Sequence, residues 1–164
     1  MRMLFTTEET LRRADELVDY LRGPRLWLPA SDYPDYDAWL ERAHAALKRE
    51  AKRAVLAIAG SVVVGAVVYQ RHREDTSALE VKNITVRADQ RGRRIASFLL
   101  RSAEIEGLAD FGCRRVVCDA KVGNLAVRAF LRASGYVPAD VRDLYALGAG
   151  ADVVYEKTAT GRFP

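Results

Sequence analysis

The sequence predicts an α/β (α+β) fold, a mixed central sheet of six to seven strands flanked by about four helices. Three observations carry this expectation. Residues 55–69 are almost wholly apolar but are broken at Ala59-Gly60-Ser61, which reads as two buried strands of a hairpin. Residues 79–96, LEVKNITVRADQRGRRIA, read as a strand carrying Val81, Ile84 and Val86 that runs through a tight basic loop into a helix. Two segments with helical spacing of apolar residues precede the hairpin.

A short strand at best opens the chain. Thr6 with Glu9 fits a capping box, and Leu11, Ala14, Leu17, Val18 and Leu21 follow at helical spacing until Gly23-Pro24. Residues 25–34 read as a loop carrying Trp27, Pro29 and Tyr33. A second helix is expected over 35–53, with Tyr36, Leu40, Ala43 and Leu47 on one face. Strands follow near 55–59, 62–70 and 79–86, the last after a charged turn over 71–77. A helix runs from about Ile95 to Phe111, and Gly112 is a natural stop. Residues 115–119 read as a strand, 124–134 as a helix, and Tyr136-Val137 opens another strand. Residues 140–155 hold the last two strands, with Gly148-Ala149-Gly150 as their turn.

The length of 164 residues predicts one domain, 1–164, with a core of its own. Lys and Arg number 26 against 22 Asp and Glu, a net charge of +4, too modest to argue for nucleic acid. Cys113 and Cys118 sit in one short segment with no disulfide framework and no metal-ligand spacing, so a reduced, cytoplasmic compartment is expected. The N-terminus has no apolar leader core. The apolar run 55–69 falls short of the roughly 20 residues that span a bilayer.

The chemistry concentrates at residues 91–96. A helix start presents unpaired N–H groups and a positive dipole end, and successive loop N–H groups add a concave nest, so anions bind there. Arg91, Arg93 and Arg94 crowd that start around Gly92, where dipole logic favours acids over cations. A phosphorylated ligand follows. There is neither GxxxxGK[ST] nor GxGxxG after a strand, so the P-loop and dinucleotide signatures are absent.

Arg91-Gly92-Arg93-Arg94-Ile95-Ala96 resembles the pyrophosphate signature of the GNAT acetyltransferase superfamily, Gln/Arg-x-x-Gly-x-Gly/Ala, with Arg94 where the family has glycine. A second resemblance lies downstream, where Asn124 is followed by Gly135 and Tyr136 across a helix. Together they cover residues 79–136. The resemblance implies a sheet splayed between its fourth and fifth strands and acetyl-CoA as acyl donor, with no metal. It also implies an N-acetyltransferase in which a primary amine attacks directly in a ternary complex.

The same resemblance assigns roles. The backbone of Ile84, Thr85 and Val86 would pair with the pantetheine arm as an added strand does. Residues Arg91 to Ala96 would hold the pyrophosphate. Asn124 would bond the arm or cap its helix, two readings left open. Asp119 and Glu80 are both candidates for the base that takes the amine's proton, directly or through water. Leu131 stands where many members have a proton-donating tyrosine; Tyr145 and Ser134 are the remaining hydroxyl candidates. Trp27, Tyr33, Tyr36 and Trp39 would wall the acceptor side or pin the loop to the core. Two rival readings stay open, a degenerate acyl-CoA-binding partner module and an aminoacyl-tRNA-directed acetyltransferase. A homodimer is compatible with the resemblance.

Overall fold

The computed structural model describes residues 3–6, 12–23, 33–144 and 150–158. Its elements are β1 (Met3–Thr6), α1 (Ala14–Arg22), α2 (Tyr36–Lys48), β2 (Arg53–Ala59), β3 (Val62–Arg71) and β4 (Ala78–Val86). A short 3₁₀ turn (Ala88–Gln90) leads to α3 (Ile95–Phe111), followed by β5 (Arg115–Lys121), α4 (Leu125–Ala133), β6 (Val137–Arg142) and β7 (Asp152–Thr158). The seven strands form one sheet in the order β1-β2-β3-β4-β5-β7-β6. Only β4 and β5 run parallel, the long crossover between them being α3.

The apolar run 55–69 is explained by layers on both faces of the hairpin. Val55, Ala57, Val67 and Tyr69 pack with Leu99, Leu100 and Ala103 of α3. Leu56, Ile58, Ala66 and Val68 pack instead with Leu17, Leu21, Leu40 and Leu47 of α1 and α2. Strands buried on both sides read as continuous apolar runs. Each such leucine contributes about 1.5–3 kcal/mol by leaving water. No described helix is long and apolar enough to cross a membrane.

Three local expectations are corrected. Thr6 lies in β1 opposite Leu56 and is no cap; α1 starts after Arg13 without a side-chain cap, and Glu9 and Leu11 lie outside the described residues. The second helix ends at Lys48, not Arg53. There Glu50 takes a left-handed backbone, φ 58°, while Ala51 N–H donates to Ala46 O and Glu50 N–H to Leu47 O. This is the glycine-type helix stop built on a glutamate, so no glycine marked it in the sequence. Arg115–Lys121 extends two residues beyond the expected strand. The turn residues Gly148 and Ala149 lie outside the described residues, as do Trp27 and Tyr145.

Helix α3 lies close on the sheet because Gly107 has no side chain. A Cβ there would stand 2.6 Å from Leu79 Cδ2 and 2.9 Å from Tyr69 Cδ2, both in fully buried side chains. Gly107→Ala, normally favourable in a helix, should therefore destabilise the fold by about 1–3 kcal/mol, read as a lower urea midpoint at unchanged slope.

Candidate active site

The pairing of β4 with β5 covers only Ala78↔Arg115, Leu79↔Val116 and Glu80↔Val117. Beyond that point β4 stays on β3 and β5 stays on β7, so the two strands part. A bulge accompanies the parting. The β3 register steps from Val68↔Lys82 to Ala66↔Thr85, and Asn83 takes φ 52°. The extra residue flips the side-chain alternation. Leu79 and Val81 face α3 before it; Ile84 and Val86 face α3 after it.

Glu80, Lys82 and Asn83 are therefore carried toward the α1/α2 side, where they help line a cleft of about 600 Å³. Its walls are Tyr33, Tyr36 and Trp39 from α2 and the segment before it, Lys52, Gln70 and His72, and Arg142 to Leu144 at and just after the end of β6. Tyr36 and Trp39 stack at 5.7 Å, and Tyr36 Oη donates to the Leu21 carbonyl at 3.0 Å. Tyr36 thus ties α2 to the end of α1, and with Tyr33 and Trp39 it lines the cleft.

Both carboxylate candidates meet at one cation. Lys82 Nζ lies 3.2 Å from Glu80 Oε1 and 3.5 Å from Asp119 Oδ1, across the mouth of the parted strands. The three side chains are only 14–16% exposed, so solvent screens them less than a surface pair. Gln70 Nε2 donates to Glu80 Oε2, and Gln70 Oε1 accepts from Lys52 Nζ. Burial pushes the Glu80 carboxyl up, but the Lys82 ammonium and the Gln70 hydrogen bond outweigh it and hold Glu80 below its ordinary value. Glu80 lines the cleft; Asp119 does not.

The basic loop follows the parted segment. Arg91, Gly92, Arg93 and Arg94 are exposed beyond the end of β4, and none lines the cleft. Arg94 is the residue before α3 and adopts φ 60°, ψ 14°, a left-handed backbone. Arginine thus holds, at the start of this helix, a backbone conformation that favours glycine. No acid occupies the first turn of α3. Arg91 Nε donates to the Val86 carbonyl at 3.1 Å and Arg93 Nη1 to Gln90 Oε1 at 3.1 Å, tying the loop to the strand end. Ile95 is buried under the helix start, and Ala96 is half-buried.

Asn124 Oδ1 accepts from Val127 N–H at 3.2 Å and so caps α4. Leu131 is fully buried in the core, and Ser134 Oγ donates to the Phe130 carbonyl at the helix end. Tyr136 Oη donates to the buried Glu104 at 2.8 Å, a structural contact. Cys118 is buried, which pushes its thiol well up and leaves it inert. Sequence reasoning missed Lys52, Gln70, Lys82 and Asn83. The adjacent polar pair Lys82-Asn83, interrupting Leu79, Val81 and then Ile84, Val86, was the available signal for the bulge.

The family model of the acetyltransferase (GNAT) family matches residues 14–136, three quarters of the chain. The chain belongs to the GNAT family of N-acetyltransferases. Solved structures agree on the fold. An aminoglycoside 6'-acetyltransferase type Ii superposes with TM-score 0.73 at 18% identity, covering 99% of this chain and 100% of its own. An N-acetyltransferase from Staphylococcus aureus Mu50 gives 0.70 at 17%, covering 96% and 99%. The PaiA N-acetyltransferase of Thermoplasma acidophilum, solved with coenzyme A, gives 0.69 at 16%, covering 96% and 99%. No curated protein sequence matches the chain.

Two outcomes follow from this geometry. Arg94→Gly relieves a left-handed arginine and should raise stability by about 1 kcal/mol in urea melts, while coenzyme A affinity measured by calorimetry stays within tenfold of the parent or improves. Lys52 is held down at about 8 from an ordinary 10.5, chiefly by burial, with Glu80 opposing and Lys82, Arg73 and Arg42 reinforcing. Between those two values the unfolded chain binds more protons at this site, so folding stability rises with pH across the window. Lys52→Met removes that contribution. Its stability relative to the parent should be most favourable below pH 8 and fall progressively toward pH 10, measured by denaturant titration at each pH.

Proposed function

We propose that the protein is an acetyl-CoA-dependent N-acetyltransferase that acts on a primary amine by direct attack in a ternary complex. The observation that carries this reading is the parting of β4 and β5 after Glu80↔Val117, with a carboxylate–lysine–carboxylate group at its mouth. Acetyl-CoA supplies the acetyl group as a thioester and the thiolate as leaving group. The residues present fit it. The backbone of Ile84, Thr85 and Val86 faces the gap left by β5 and can pair with an extended amide-bearing arm. A backbone N–H in that stretch can donate to the thioester carbonyl as negative charge develops. Gly92 to Ala96 place the positive start of α3, with Arg91, Arg93 and Arg94, where a pyrophosphate would sit.

The amine comes from the cleft side. A primary amine with a pKa near ~10.4 arrives as a cation and must lose a proton. Glu80, on the cleft wall, attracts the ammonium and takes a proton at its carboxylate, directly or through one water. Lys82 keeps Glu80 ionised and shares its charge with Asp119, which makes Asp119 the secondary carboxylate. With Leu131 buried, the thiolate leaves without a tyrosine; thiol pKa values near ~8.5 make that tolerable at neutral pH. Holding both reactants on one strand is the larger part of the rate.

Some of the structural neighbours act on aminoglycosides, which are polyamines. The cleft here is lined by Arg42, Lys52, Arg73, Lys82 and Arg142 against Asp35, Glu74, Glu80 and Asp143. That balance supports an acceptor other than a polycation.

Coenzyme A at 100 times its Kd should stabilise the fold by ~2.7 kcal/mol in thermal melts. Glu80→Gln should lower kcat at neutral pH by about 100-fold or more with coenzyme A affinity unchanged, and Asp119→Asn by distinctly less. Absence of any shift with coenzyme A counts against the whole reading. Coenzyme A binding without acetyl transfer to any amine points to the acyl-CoA-binding module instead.

A further inference from the structure

Among the described residues, two buried donor groups of the cleft beside Glu80, on Lys52 and Asn83, lack a full set of acceptors. Lys52, at the foot of β2, is only 9% exposed. Its ammonium donates to Gln70 Oε1 and stands 5.5 Å from the Trp39 ring centroid. An ammonium has three N–H donors. Among the described residues no carboxylate lies within ion-pair distance of it. Asn83, at the bulge, also lines the cleft, and its buried Nδ2 has no hydrogen-bond partner. Buried donors of this kind are retained where an acceptor arrives from outside, because each is otherwise a net cost. Arg42 and Arg73 line the same cleft and add positive potential, although Arg42 also meets Asp35 at 3.4 Å.

The arrangement is polar in a defined direction. Gln70 separates the Lys52 cation from the Glu80 anion by a single amide, its oxygen toward one and its nitrogen toward the other. A ligand complementary to that pair carries a cation and an anion a few bonds apart, with the ammonium toward Glu80 and the anion toward Lys52. The stacked Tyr36 and Trp39 offer an apolar wall beside it. We infer that the acceptor is of the amino-acid class, an amine with a carboxylate close to its reacting nitrogen, and that Lys52 binds that carboxylate while Glu80 faces the amine. This inference rests on the N-acetyltransferase reading for its chemistry and adds the identity of the acceptor.

The test uses the whole chain saturated with coenzyme A for binding and with acetyl-CoA for turnover. The probes are free α-, β- and γ-amino acids, the carboxamides of the same compounds, and spermidine. Binding is read by calorimetry and turnover by thiol release, with rates expressed per neutral amine because amidation lowers the amine's own pKa. The best free acid should exceed its carboxamide by about tenfold or more in kcat/KM, with spermidine the poorest of the three. Lys52→Met should remove that preference mainly through KM, leaving coenzyme A affinity unchanged, and Lys52→Arg should keep it. Transfer to carboxamides or spermidine without preference for the acid overturns the inference while leaving the acetyltransferase reading in place. Selective binding of free acids without any turnover upholds the anion subsite and overturns that reading instead. A preference that survives Lys52→Met, or no binding of any probe, overturns the inference.

Discussion

The structure depends on how β4 is held. It must pair with β3 along its length, yet lose β5 after Glu80. A strand that pairs on one side only leaves backbone groups facing a gap, and such groups want partners. The bulge at Asn83 accompanies this change and reverses which side chains face which layer. Without it Ile84 and Val86 would point into the polar cleft and Thr85 into the core against α3. One inserted residue thus keeps a single strand apolar toward α3 over its whole length while presenting Glu80, Lys82 and Asn83 on the other side.

The charges follow the same division of labour. On one side of the parted strands the cations of residues 91–94 are exposed at a helix start, where they meet solvent and cost little. On the other side Lys52, Glu80, Lys82 and Asp119 are mostly buried, and each is tied to a neighbour. Charges removed from water interact more strongly, which makes them useful for orienting a substrate and expensive to leave unmatched. A buried lysine facing an amide and an aromatic ring is a less complete solution than a lysine between two carboxylates. The proposed anion subsite rests on that difference between Lys52 and Lys82.

Much of the fold was legible beforehand. The hairpin, the strand over 79–86, the helix from Ile95 and the capped helix after Asn124 came from periodicity, turn residues and helix-end chemistry, which act over a few residues. The end of α2 was not legible because Glu50 adopts a conformation that glycine usually marks. Arg94, before α3, likewise takes a left-handed backbone that no glycine marks. The candidate site was partly legible: Glu80 and Asp119 were singled out separately, but nothing local said that Lys82 holds them together. Lys52 and Gln70 looked like ordinary charged and polar residues at strand ends.

The sequence alone determined the layered α/β architecture, the basic helix start and the two carboxylates, since each rests on local pattern. Tertiary structure alone decided that Lys52, Gln70, Glu80, Lys82 and Asp119 form one chain of contacts across three strands and a gap. Their positions are separated by up to 67 residues, between 52 and 119. Only sheet registry brings such residues together, and registry is set by the pairing of whole strands. The burial that gives those charges their strength likewise exists only once α1, α2 and the sheet have closed around them.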